Sequence, residues 1–94
     1  MFDMDKMEAG LNELTGMDFE QAENAERMNG NMMPDISFSK SFQARLAAKA
    51  LNVPIEKVKA AKINEFTTVT TQVSNFLFGN LAETVKTQSK NTAK

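Results

Sequence analysis

Apolar residues recur at intervals of three and four along most of this chain, and that spacing restricts the fold more than any other property of the sequence. Met4, Met7, Leu11 and Leu14 form one such stripe, on a helix begun near Asp3. Thr15 follows as an N-cap, with Asp18 three residues on as the acid of a capping box at the favourable end of the helix dipole. This second helix is predicted over about 16–28, stopping at Asn29-Gly30, with a thin apolar edge of Phe19, Ala22, Ala25 and Met28. Residues 29–36 combine two turn signals with Pro34 and read as a flexible connector.

The C-terminal part is more strongly patterned. Ser37 or Ser39 caps a helix carrying Phe38, Phe42, Leu46, Ala47, Ala50 and Leu51. Asn52 suits the left-handed position after it, and Pro54 suits the first turn of a short element that buries Ile55 and Val58. The next segment contains Thr67-Thr68-Val69-Thr70-Thr71, which favours a strand. Strand alternation would set Val69 and Val73 opposite Phe66, whereas helical winding gathers Phe66, Val69, Val73, Phe76 and Leu77 on one side, so a helix ending at Gly79 is predicted. Leu81 and Val85 would extend it by a turn or two, and beyond them the chain is polar and weakly basic. The organisation expected is therefore all-α, a small bundle of four to five short helices with a disordered basic C-terminal tail. Residues 1–35 form an acidic region with its connector, 36–81 the helical core, and 82–94 the tail.

Composition narrows the chemistry. The chain has 94 residues and no Cys, His, Tyr or Trp, so the commonest general base, the best nucleophile and the usual zinc ligands are missing. The carboxylate pairs Glu20/Glu23 and Glu23/Glu26 have few large apolar neighbours to desolvate them and read as a solvated helix face. With no Gly-rich phosphate loop and no calcium loop, no catalytic residue, cofactor or metal ligand is nominated, and the chain is expected not to be an enzyme. A chain this small without disulfides points to a reducing compartment. No apolar run approaches the roughly 18 residues of a membrane span, and Asp3 and Asp5 are unlike the start of a signal peptide.

Charge is divided unevenly. Residues 1–35 hold nine acids against Lys6 and Arg27, and residues 36–94 hold nine bases against Glu56, Glu65 and Glu83. Attraction between the halves, within one fold or between subunits, is the simpler reading, ahead of two modules facing different partners.

Three features bear on function. Ala48, Asn52 and Val58 have the small-turn-apolar spacing of a helix-turn-helix corner. Its second helix would show Glu56, Lys57, Lys59, Ala60 and Lys62 to DNA, with no Arg, Gln or Asn for a bidentate base contact, which disfavours nucleic acid. Consecutive Phe76, Leu77 and Phe78 spread apolar surface around more than half of their helix, more than a small core need cover. The candidate partner-binding residues are Phe66, Val69, Val73, Phe76, Leu77, Phe78 and Leu81. Seven methionines, with Met28, Met32 and Met33 near the connector, add adaptable surface.

The block Leu14-Thr15-Gly16-Met17-Asp18-Phe19-Glu20-Gln21-Ala22-Glu23 resembles the LTG-D-acidic helix segment of the small tail assembly chaperones of tailed phages. The stretches Phe38–Val58 and Glu65–Leu77 are similar to later segments of that family, in the same order, so the resemblance spans about 14–79. Members often begin with a short hairpin where this chain has a Met-rich acidic helix. The resemblance implies a non-enzymatic protein that binds the tape measure protein, keeps it soluble and helps tail tube protein polymerise around it. It would act in the host cytoplasm, be absent from the mature virion, need no membrane, and leave a homo-oligomer open. The alternatives are a small helix-turn-helix DNA-binding regulator, and an inhibitor whose acidic helix over 16–28 mimics nucleic acid.

Overall fold

The computed structural model describes residues 2–79. Among them the chain forms five α-helices and no strand: α1 (Met4–Glu13), α2 (Gly16–Met28), α3 (Lys40–Leu51), α4 (Ile55–Lys59) and α5 (Ile63–Ser74). A 3-10 turn (Ile36–Phe38) precedes α3, and a π-helical turn (Asn75–Gly79) continues α5. The expected all-α bundle is the observed architecture. Leu81, Val85 and the expected tail over 82–94 lie outside the described residues.

Helix boundaries follow from local hydrogen bonds. Asp3 caps α1 by accepting from the Lys6 amide. Thr15 and Asp18 form a reciprocal capping box at α2, the Asp18 amide donating to the Thr15 hydroxyl at 3.3 Å and the Thr15 amide to the Asp18 carboxylate at 2.9 Å. The Thr15 amide is the main reason that the Asp18 carboxyl lies below its ordinary pKa; the Thr15 hydroxyl and Lys49 add to it, against some desolvation. Ser39 caps α3. That helix ends in a Schellman motif, with Asn52 left-handed at φ 58° and ψ 48°. There the Val53 amide donates to the Ala48 carbonyl and the Asn52 amide to the Lys49 carbonyl. Pro54 stands at the N-cap of α4, one position before the first turn.

The threonine run is helical because α5 buries one apolar face, and its hydroxyls turn back on the helix. Thr67 donates to the Ile63 carbonyl, Thr68 to the Asn64 carbonyl and Thr70 to the Phe66 carbonyl, which satisfies side chains that would otherwise favour a strand.

The core is built around α3, which packs against α1, α2, α4 and α5. Phe42, Ala44, Leu46, Ala47, Ala48, Ala50 and Leu51 are all buried on it. Met7 and Leu11 from α1, Ala22 from α2, Val58 from α4, and Val69 and Val73 from α5 close around them. Phe19 meets the edge of Phe42 with ring centroids 4.9 Å apart. Met28 of α2, expected on its apolar edge, is 88% exposed.

Gly10 sets how closely α1 approaches α3: a Cβ there would lie 2.1 Å from the Ala50 carbonyl oxygen. Gly10→Ala is therefore expected to lower the unfolding free energy by about 1–3 kcal/mol in urea denaturation, although an open helix would gain about 1 kcal/mol from the same change. At Gly16 an added Cβ meets nothing within 4 Å, and Gly16→Ala should be neutral or stabilising. Equal effects at both positions would show that α1 does not rest on α3 through Gly10.

Candidate partner-binding surface

The seven nominated residues divide along α5 and the turn after it. Val69 and Val73 point into the core and are 1% and 0% exposed, so they support the face and offer nothing to a partner. Their apolar spacing marked the buried side of α5. Phe66 is half-buried and packs against the core from the rim. Phe76, Leu77 and Phe78 lie on the π-helical turn, each half-buried, and Leu81 is outside the described residues. The wider winding of a π turn changes the direction of successive side chains relative to an α-helix. Phe76 and Leu77 thereby form one wall of an apolar groove of about 250 Å³, whose other walls are Leu11, Leu14, Phe19 and Leu46. Phe78 instead stacks on Phe38, with ring centroids 4.7 Å apart and planes 9° from parallel.

Phe38 is the residue that the sequence reading misplaced. It was expected on the apolar face of α3, but Ser39 is the cap, which leaves Phe38 outside the helix on the 3-10 turn and 56% exposed. A residue just before an N-cap often packs on the fourth helical residue; here that residue is Gln43, so the ring takes Phe78 as partner.

A polar clasp holds the segment leading to Phe38. Arg27 donates to the carbonyls of Asn31 and Met33, and the Met33 amide donates to the Asn31 side chain. The Asn31 amide group donates to Glu26 Oε1 at 2.9 Å and to Ser39 Oγ at 2.8 Å. Arg45 Nε donates to Glu26 Oε2 at 2.7 Å. Gln43 reaches the Ser37 carbonyl through its nitrogen, while its buried oxygen has no protein partner. The connector expected to be flexible is thus tethered at both ends.

Glu26 is also a correction. It was expected on a solvated face, yet it is 2% exposed. Burial pushes its pKa up, but hydrogen bonds from Asn31, Arg45 and Ser41, with the Arg45 charge, bring it below the ordinary value. Its partner lies 19 residues away on another helix, beyond the reach of local pattern.

The Glu26–Arg45 and Lys49–Asp18 pairs join the acidic and basic parts of the chain within one fold. A second, more open groove of about 690 Å³ lies between α2 and the α3–α4 corner, with Asp18, Gln21, Arg45 and Lys49 at its edge. The corner itself is formed by Ala48, Asn52 and Val58 as their spacing implied, but α4 has five residues, too few to present Ala60 or Lys62 on the same helix. Among the described residues no group of three or more His, Cys, Asp or Glu is placed to hold a metal ion, and no helix is long and apolar enough to cross a membrane.

Comparison of the chain with protein-family models, with curated proteins and with solved structures gives no match.

Because the folded Glu26 carboxyl titrates below its ordinary value, its contribution to stability is present above that value and disappears as pH falls through the folded pKa. Lowering the pH from about 5 to about 3 should therefore destabilise the protein and speed amide exchange at Asn31 and Met33. Glu26→Gln should flatten this dependence and cost about 2–3 kcal/mol at neutral pH, by leaving Arg45 without its charged acceptor. Thermal unfolding across that pH range reads both effects, and an unaltered pH profile in the variant would remove Glu26 as their source.

Proposed function

We propose that this chain is a non-enzymatic helical binding protein that holds an elongated helical client through the apolar end of the bundle. The reading adopted is a phage tail assembly chaperone acting in the host cytoplasm. Its client is the tape measure protein, kept soluble while tail tube protein polymerises around it. The observation that carries the binding role is the Phe38–Phe78 stack beside the half-buried Phe76 and Leu77. A ring more than half exposed and held in place by its neighbour adds little to the hydrophobic core, and it loses little further freedom when a partner covers it. Met32, at 82% exposed, and Met33, at 40%, follow the clasped turn and supply adjustable contact nearby in sequence. The finer identity, chaperone and client, is supported by the three blocks similar to the tail assembly chaperone family.

A long helical client is suited to many copies of such a site, each of modest affinity, because linked weak contacts multiply into strong retention. A DNA-binding regulator is less well supported: a five-residue α4 extends only about 7.5 Å and carries Glu56 beside Lys57 and Lys59.

Co-expression with the tape measure protein tests the reading. Phe38→Ser combined with Phe78→Ser should reduce the retained client by about tenfold or more, as for other aromatic anchors. The helical circular dichroism should stay intact, since neither ring is buried in the core. Retention equal to the parent chain would remove this face from the contact, and loss of helical signal would place the two rings in the structural core.

A further inference from the structure

Alanines line the floor of the groove of about 690 Å³ between α2 and the α3–α4 corner: Ala22 and Ala25 from α2, and Ala48 from α3. Small side chains there let a third backbone approach to the roughly 8–10 Å of helix packing. From Arg45 to Asn52 the groove follows α3 for two turns, about 10 Å, and the half-buried Val53 and Ile55 line its apolar end.

Arg45 lines the same groove with a side chain that is 18% exposed and partly used. Its Nε donates to Glu26 Oε2, and Asn31 and Ser41 also bond that carboxylate. Glu26 is buried and does not itself line the groove. The terminal amino groups of Arg45, Nη1 and Nη2, have no acceptor among the described residues, and neither is sealed from solvent. A guanidinium engaged at Nε alone keeps its planar terminal fork, which matches the two oxygens of a carboxylate. Lys49 is already held by Asp18 and Gln21. Arg45 and Lys49 against Asp18 leave the lining residues one positive charge in surplus. One open fork with no second free base suits a single carboxylate and not a polyanion.

We propose that this groove docks a helical segment of a partner protein that presents one Glu or Asp to Arg45. The carboxylate accepts from both terminal amino groups of Arg45. An aliphatic side chain two turns away covers Val53 and Ile55, and small residues of the same helix face rest on Ala22, Ala25 and Ala48. The site shares no residue with the Phe38–Phe78 stack. It goes beyond the proposed chaperone role and does not depend on it.

A blocked, alanine-based helical peptide of about fifteen residues, with one Glu and one Leu two turns apart, serves as the probe. Its twin has Gln in place of Glu. Added to the full chain at about 1 mM, the Glu peptide should shift the methyl signals of Ala25, Ala48 and Ile55. The exposed Ile63, which is no part of the groove, should keep its own. The Gln twin should bind about tenfold more weakly or worse, because it loses a charge-assisted bidentate contact. Arg45→Lys keeps the charge beside Glu26 but removes the fork, and should abolish the difference between the two peptides. Ala25→Leu fills the groove from a half-buried position, so helical circular dichroism should stay intact while affinity for the Glu peptide falls about tenfold. Equal binding of the two peptides to the parent chain would overturn the proposal, as would no shift at this concentration or undiminished binding to Ala25→Leu. Displacement of the Glu peptide by inorganic phosphate at about 1 mM would reassign the fork to free anions and also overturn it.

Discussion

A twelve-residue helix can be surrounded by four others only if its own side chains leave them room, and α3 meets that condition with Ala44, Ala47, Ala48 and Ala50. Small residues bring the neighbouring backbones close, and Gly10 removes the last obstacle on α1 where it faces the Ala50 carbonyl. The large side chains then need to reach α3 from outside, which Met7, Leu11, Val58, Val69 and Val73 do. Phe42, Leu46 and Leu51 are the large apolar side chains that α3 itself buries. Large side chains on the neighbours complement the alanines of α3, as close packing demands, while Phe42 meets the ring of Phe19. A bulkier α3 would push its neighbours away from the axis on several sides at once.

Electrostatics is organised around the same helix. Arg45 and Lys49 sit one turn apart on α3 and receive Glu26 and Asp18 from α2. The two contacts differ physically. Lys49–Asp18 is a partly exposed pair at 3.6 Å that salt will weaken. Glu26 is nearly buried, and its oxygens are satisfied by Arg45 and Asn31, so its worth lies in keeping α2, the connector and α3 in one arrangement. Through Asn31 and Ser39 that arrangement reaches the cap of α3, and therefore the residue before it, Phe38. A surface aromatic is thus positioned by a buried carboxylate on a different helix.

What was legible in the sequence was what is decided locally. Asp3, Thr15 with Asp18, Ser39 and Asn52 act through partners within a few residues, and each terminates or starts its helix as its type implies. The stripe Met4, Met7, Leu11 and Leu14 and the pair Val69 and Val73 likewise mark their own inner faces. The misread features are those set by a distant partner. Nothing near Gly10 announces the Ala50 carbonyl, and nothing near Glu26 announces Arg45. Phe38 followed the periodicity of α3 so well that only the identity of the capping serine separates helix from turn. Within the candidate site, Phe76, Leu77 and Phe78 were found from their unusual crowding, while Phe38 was missed because its partner is 40 residues away.

The departures from local rule gather at one end of the molecule. An α-helix opens into a π turn, two phenylalanines stack at the surface, and an apolar groove is left between helices just where the chain exits. The departures elsewhere, such as exposed Met28 and buried Glu26, are single side chains, whereas here backbone, rings and groove depart together. Departures that cluster mark a place shaped by something besides stability. The core gains little from the exposed side of Phe38, and a polar residue would serve a 3-10 turn as well. Retaining rings at that end makes physical sense when the apolar surface of a client covers them for part of the protein's working life.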